Sequence, residues 1–410
     1  MISRGEAEAL DARDPLAAFR SRFVLDDDER IYADGNSLGR LPRDTAARLR
    51  ERVDEWGSRI VTAWPDWIDL PFVVGDLIAA HVAGARPGEI VVADSTTVNI
   101  YKLASAAVAR RPGSLVTDAQ NFPTDRYVLE GIGELAVFES DPLAGPTAED
   151  VERACSDTDA TLVCLSHVAY RSGAIADVRE ITDAAHAAGA LVLWDLSHSA
   201  GSVPIDLEGD GVDLAVGCTY KYLNAGPGAP AFLYVREALQ PELRSPIWGW
   251  FAQRDQFAMG PAFDPVDGIG RFLAGTPPIL GLTAVESGVR LVAEAGIDTL
   301  RRKSVELTRM LVDLHDEVLA PLGFELGSPR DADARGAHVS VRHAGAWRLC
   351  RALVERANVV PDFRRPDSIR FGLPPLYTRF VDAWDLVERL RRLVETREYL
   401  EVEAGTARVT

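Results

Sequence analysis

Basic residues are in short supply. The chain sets 44 lysines and arginines against 62 aspartates and glutamates, a formal net charge of −18 over 410 residues. A chain this acidic lacks the cationic stripe that neutralises a phosphate backbone, which excludes nucleic acid as the expected partner. An anionic ligand must instead find locally positive or dipolar ground. Cysteine is sparse too. Cys155, Cys164, Cys218 and Cys350 form no CxxC pair and no disulfide-framework spacing; they read as reduced, buried thiols of a cytosolic protein. No apolar run is long enough to span a bilayer. Residues Met1 to Glu6 lack the apolar stretch of a signal peptide, so a cytoplasmic location is expected. There is no internal repeat and no low-complexity tract. What remains is ordinary for a globular enzyme of two domains: 47% apolar and 26% charged residues.

The first thirty residues predict a charged amphipathic helix, then an extended segment at 31–34 and a turn at 36–39. Pro42 opens the next helix, where its missing N–H costs little. From about residue 72, short apolar runs alternate with helical stretches: 90–93, 114–117, 161–165, 191–194, 214–216 and 231–235. Continuous apolar strands separated by helices such as 178–189 predict an α/β fold, a mostly parallel sheet covered on both faces. Beyond Pro278 the pattern changes to long charged helices at 280–319 and 380–399, with short strands at 337–341 and 369–371. This predicts a large α/β domain over 41–279 and a smaller α+β domain over 280–410. The segment 1–40 is expected to pack with the small domain. The tail after Tyr399 is expected to fray.

In open sheets ligands bind beyond the carboxyl ends of the strands, where Asp94, Asp195 and Lys221 are expected. A lysine there can form an imine with an aldehyde, or simply mark a strand end in water. Asp195 can hold a pyridinium nitrogen protonated, or cap a helix. Together they are two anchors of a pyridoxal phosphate enzyme. Thr96 and Thr97 open the helix after Asp94, either as an anion site or as plain caps. Phe122 and Asp125 lie in a turn, where Phe122 could stack on a planar ring. Ser166 follows another strand, and His198 lies three residues past Asp195. Trp64 and Trp250 sit in tryptophan-rich loops of the kind that mark pockets and interfaces. Arg370, central in an apolar strand, needs an anion: a substrate carboxylate or a structural acid. No metal is expected.

Assembled in order, these residues resemble the kynureninase family, within the aminotransferase class V, fold-type I enzymes. The matching segments are Tyr32 to Gly39, Asn121 to Asp125, Trp194 to His198, Gly211 to Asp213, Tyr220 to Gly226, Gly249 to Phe251, Thr276 to Ile279 and Arg370 to Tyr377. They extend across nearly the whole chain. The resemblance implies the PLP-dependent transferase fold of type I, with pyridoxal 5'-phosphate joined to Lys221 and paired through Asp195. It places Phe122 on the ring face, with Asp125, Ser166 and His198 around it. It places Thr96, Thr97 and Tyr220 at the phosphate, with Trp250 and Thr276 reaching it from the partner of a homodimer with shared active sites. Asn36, Ser37, Trp64 and Arg370 fall on the substrate side, and Tyr220 also relays protons. The implied activity is hydrolytic Cβ–Cγ cleavage of L-kynurenine to anthranilate and L-alanine, a step of tryptophan catabolism. Trp64 and Thr276 resemble the bacterial branch, which favours kynurenine over 3-hydroxykynurenine. The alternatives are a cysteine desulfurase, an aminotransferase, or a non-catalytic protein that binds pyridoxal phosphate. A desulfurase needs a mobile nucleophilic cysteine, and Cys350 falls in a helical run, 346–357.

Overall fold

A computed structural model describes residues 2–403. Thirteen strands fall at Ile31–Tyr32 (β1), Ile90–Val92 (β2), Ser114–Asp118 (β3), Leu135–Phe138 (β4), Ala160–Ser166 (β5), Leu191–Asp195 (β6) and Leu214–Gly217 (β7). The series continues with Phe232–Val235 (β8), Glu325–Leu326 (β9), His338–Arg342 (β10), Val359–Val360 (β11), Asp362–Arg364 (β12) and Ser368–Gly372 (β13). The twelve α-helices begin with Arg4–Asp11 (α1), Arg43–Arg59 (α2), Trp64–Trp67 (α3), Leu70–Ile78 (α4), Thr96–Arg110 (α5) and Pro123–Ile132 (α6). They end with Ala148–Ser156 (α7), Val178–Ala187 (α8), Ile279–Ala295 (α9), Ile297–Leu314 (α10), Ala346–Arg356 (α11) and Phe380–Glu395 (α12).

Seven strands form one sheet in the order β2-β8-β7-β6-β5-β3-β4. Only β8 runs against its neighbours; the pairs from β7 to β4 are parallel. The central strands are buried on both faces, which is why each is a near-continuous apolar run. One core lies on each face. Val116, Val163, Val192 and Trp194 join the first, and Leu115, Leu162, Cys164 and Leu193 the second. Successive side chains of a strand point to opposite faces.

The second sheet, β12-β13-β10-β9, is antiparallel. It shares a third core with α10, α11 and α12. The N-terminal segment serves both lobes. Ala7, Ile31 and Ala33 enter the small core, while Leu16 and Phe23 enter the large one.

Several elements differ from the sequence expectation. The helix expected over 280–319 is two, divided at Gly296, whose φ of 76° suits glycine. Its first half, α9, buries Leu282, Val285 and Val289 in the core of the large sheet. The N-terminal helix stops at Asp11, and a 3-10 turn, Ala17–Arg22, follows. Strand β7 stops at Gly217, so Tyr220 and Lys221 lie in the turn beyond it. The chain leaves the sheet there because Cys218 N–H donates to Ser197 Oγ instead of the ladder. Asp94 also lies past its strand, at a positive φ of 53°. The tail does not fray at Tyr399: Glu398–Glu401 forms a 3-10 turn and Val402 is buried. Residues 404–410 lie outside the described residues.

Candidate active site

The site gathers beyond the carboxyl ends of β5, β6 and β7. Lys221 Nζ lies 2.9 Å from His198 Nε2. Asp195, the last residue of β6, is buried, and its Oδ1 accepts the Ser197 N–H at 2.9 Å. The turn carrying Lys221 is set by Gly39. Its N–H donates to Tyr220 O at 2.7 Å, and a Cβ on it would collide with Lys221 O. Only glycine lets the N-terminal turn approach the lysine this closely.

Asp125, which the sequence places in a turn, stands in the first turn of α6. Its Oδ2 is buried without a partner. Burial first, then repulsion from Asp195, drives its carboxyl well above the ordinary range, with Lys221 pulling the other way. Burial raises Asp195 as well, against Lys221 and Ser197. Burial and the charges of Lys221 and Arg370 hold His198 well below its usual range, so the imidazole is neutral. Two buried acids facing one cation need a further proton or cation between them. A protonated pyridine nitrogen meets that need, and the unpartnered Asp125 oxygen gives the cofactor fit a physical basis.

Ser166 Oγ donates to Asn121 Oδ1 at 2.6 Å, which also accepts the Phe122 N–H at 2.8 Å. Asn121 thus ties the end of β5 to the turn bearing Phe122, a role its position in that turn did not disclose. Phe122 is 38% exposed, with its ring edge-on to Tyr170 at 5.2 Å. The Thr96 and Thr97 amides, in the first turn of α5, have no intrahelical acceptor. A fully buried Lys102 neutralises the nearby Asp94 and donates to Phe272 O at 2.7 Å. This removes a carboxylate charge that would repel a phosphate at the helix N-terminus. Sequence reading missed Lys102, because a lysine in mid-helix is usually solvated. The adjacent Cys218, then burial, pushes the Tyr220 phenol up, so it stays protonated.

Arg370 is 1% exposed. Its Nε is 2.5 Å from Asp362 Oδ2, its Nη1 donates to Tyr170 O, and its Nη2 reaches Ser37 Oγ at 3.4 Å. The structural acid weighed from the sequence is therefore present, and one Nη1 hydrogen of the five-donor fork is uncommitted. On the neighbouring strand, Ser340 Oγ donates to Arg171 O. Asn36 is fully buried with neither side-chain atom paired. His338 on β10, unremarked in the sequence, is fully buried with both ring nitrogens unpartnered, 5.5 Å from the His198 ring.

Trp64, Trp250 and Thr276 stand apart. Trp64 packs near Trp67 and Phe251 at 5.9 and 6.4 Å. Trp250 is 42% exposed, and Thr276 is exposed. Among the described residues no hydrogen bond, ion pair or ring contact joins these three to the Lys221 group.

The fold is that of the fold-type I pyridoxal phosphate enzymes. A cysteine desulfurase from Thermococcus onnurineus NA1 superimposes with a TM-score of 0.79 over 94% of this chain and 99% of that chain, at 21% identity. A C-DES mutant with glycine covalently linked to its PLP cofactor gives 0.80 over 95% and 99%, at 16% identity. Sequence narrows this class. Residues 300–390 match the model of the kynureninase C-terminal domain. The kynureninase of Pseudomonas fluorescens is 40% identical over 98% of both chains, and that of Burkholderia pseudomallei (strain K96243) is 41% identical over 99% of both. The chain belongs to the kynureninase family.

Proposed function

We propose that this chain hydrolyses L-kynurenine to anthranilate and L-alanine, with pyridoxal 5'-phosphate held at Lys221. The observation that carries the reading is the buried cluster of Lys221, His198, Asp195 and Asp125 in a chain of kynureninase ancestry. Pyridoxal phosphate, when bound, supplies an aldehyde for the substrate amine and a ring that accepts electrons from the breaking bonds. Asp195, with Asp125 beside it, holds the ring nitrogen protonated. The Thr96 and Thr97 amides and hydroxyls, with Tyr220, hold the phosphate. Phe122 covers the ring, and Ser166 and His198 line it. Lys221 Nζ takes the substrate α-proton, and neutral His198 Nε2 orients that nitrogen. Tyr220, kept protonated, relays a proton through its hydroxyl. Arg370, flanked by Asn36 and Ser37, takes the α-carboxylate.

The exposed Trp250 and Thr276 support a homodimer in which each subunit completes its partner's phosphate site. Exposed Trp56, Ile60 and Val61 on and after α2 add apolar surface for such a contact. Among the described residues no helix is long and apolar enough to cross a membrane. Four free, buried thiols fit a reducing compartment, and we propose the cytoplasm. The desulfurase alternative is disfavoured by Cys350, which is buried in α11 with its thiol pushed up to about 12 by burial and the nearby Asp362 and Asp34.

Anthranilate fluorescence on mixing the cofactor-loaded protein with L-kynurenine tests the reading, with Lys221→Ala as control. Release by the wild type alone is expected. A cofactor-bound wild type that leaves kynurenine intact would discard the substrate.

A further inference from the structure

His338 belongs to the small lobe and faces a residue of the large one. On β10 it lies two positions from Ser340, so both side chains share a face of the sheet. Arg370, the cross-strand partner of Ser340, shares it too. That face meets the loop after β5, where Ser340 Oγ donates to Arg171 O and Arg370 Nη1 to Tyr170 O. The chain entering β10 is pinned to the same loop. Gly336 N–H donates to Gly173 O at 2.8 Å, and Ile175 N–H to Ala334 O at 3.0 Å. A Cβ on Gly173 would stand 3.2 Å from His338 Nε2, so this glycine leaves the imidazole its room. Held there, the His338 ring meets the His198 ring with centroids 5.5 Å apart and planes tilted by 56°.

Both rings are neutral. Burial, then the charges of Arg370 and Lys221, holds His338 well below its usual range, as burial and Lys221 hold His198. A neutral imidazole carries one N–H donor and one bare acceptor nitrogen. His198 Nε2 stands 2.9 Å from Lys221 Nζ, and a lysine brings donors. Nε2 therefore accepts, and the His198 proton sits on Nδ1. That Nδ1 is buried with no partner, as are both nitrogens of His338. From outside hydrogen-bond geometry, the Arg171 carbonyl draws a proton onto the His338 ring, and the nitrogen left bare is an acceptor. A buried donor lacking an acceptor thus lies beside an acceptor lacking a donor. The ring torsion of histidine is soft, so small rotations bring the two nitrogens into hydrogen-bond contact.

We propose that His338 is a positioning residue for His198: it accepts the Nδ1–H across the lobe boundary and so fixes the tautomer whose Nε2 accepts from Lys221. Without His338 the proton is free to move to Nε2, where it would meet the lysine donor against donor. The orientation of Lys221 Nζ is thereby set from the small lobe. The catalytic consequence rests on the kynurenine reading; the tautomer does not.

Nitrogen-15 NMR of the full-length, cofactor-free protein, labelled at its histidine rings, reads each tautomer at about pH 8, where neutral histidine dominates. His198→Phe identifies the His198 signals. In the wild type, His198 should carry its proton on Nδ1. His338→Phe should shift the balance about tenfold toward the Nε2–H form, the effect of one lost hydrogen bond. His338→Gln, whose amide carbonyl accepts, should restore it. His338→Leu serves if the phenylalanine variant does not fold. In the cofactor-loaded enzyme, kcat for L-kynurenine should fall about three- to tenfold in His338→Phe, with KM changing less than about twofold, and recover in His338→Gln. A wild-type His198 protonated on Nε2, an unchanged balance in the apolar variants, or an unchanged kcat overturns the proposal. If the wild type releases no anthranilate, the kynurenine reading fails, and the tautomer balance still decides whether His338 positions His198.

Discussion

Lys221 Nζ and His198 Nε2 stand 2.9 Å apart, the lysine in the turn beyond β7 and the histidine three residues past Asp195. With the imidazole held neutral, Nε2 is free to accept from the lysine. Replacing His198 by Phe keeps the ring volume and removes the acceptor. Because this hydrogen bond involves a charged group, kcat is expected to fall about 10- to 100-fold. Cofactor retention, read from the visible absorption of the bound protein, should persist. Loss of the cofactor instead would assign His198 to binding.

Asp125 and Asp195 repel each other in a buried space. A carboxyl raised on folding stabilises the protein below its unfolded pKa and loses that contribution as pH climbs through its folded value. Without cofactor, the pair therefore weakens the fold as pH rises. Asp125→Asn should stabilise the cofactor-free protein by about 1–2 kcal/mol at mildly alkaline pH. The gain should vanish near pH 4, where wild type is protonated as well. Urea unfolding midpoints at the two pH values check this. A constant difference would mean that the mutation acts by packing alone.

Lys102 neutralises Asp94 beside the first turn of α5. Lys102→Met fits the same space and leaves Asp94 a lone carboxylate near the amides proposed to hold the phosphate. The expected result is about tenfold weaker cofactor binding, roughly 1.4 kcal/mol. Asp94 is partly exposed, so water can solvate it and global stability should change by less than about 3 kcal/mol. Equilibrium dialysis of pyridoxal phosphate against the two proteins separates these effects. Unchanged affinity would remove Lys102 from the cradle.

The family resemblance puts Trp64 on the substrate side, and we propose that its aromatic packing near Trp67 and Phe251 offers little to satisfy a substrate ring hydroxyl. Burying that hydroxyl unpaired should lower kcat/KM for 3-hydroxykynurenine at least about tenfold relative to kynurenine. Trp64→His, which introduces a donor and acceptor, should narrow the ratio. Competition assays with both substrates read it directly.

Much of the large sheet was legible because strands buried on both faces must be continuous apolar runs. Strand β4 was not. It lies at the sheet edge and is only partly buried, and glutamates flank Leu135–Phe138, so its pattern resembles a loop. The break at Gly296 was hidden because the helical charge pattern continues across it. In the candidate site, the position of Asp195 at a strand end was legible, whereas Lys221 lies past its strand, which stops early at Gly217. Asp362, His338 and Lys102 were not legible. His338 and Lys102 take their roles from residues far away in sequence, His338 against His198 from another lobe and Lys102 beneath Phe272, while Asp362 meets Arg370 only once the chain turns back to pair β12 with β13.

The loop after β5 is held at two successive carbonyls, Tyr170 O by Arg370 and Arg171 O by Ser340. The smaller lobe is thereby tethered to the larger one through one cross-strand pair of its sheet, Ser340 opposite Arg370, and Tyr170 meets Phe122 edge-on. These links form a lever arm between the lobes. Any hinge rotation that swings the clamp toward solvent must either break both tethers or drag Tyr170 with it, tilting the ring proposed to cover the cofactor. If Arg370 takes the substrate carboxylate and Phe122 covers the cofactor as proposed, slack at these tethers would register as a spectral shift of the cofactor.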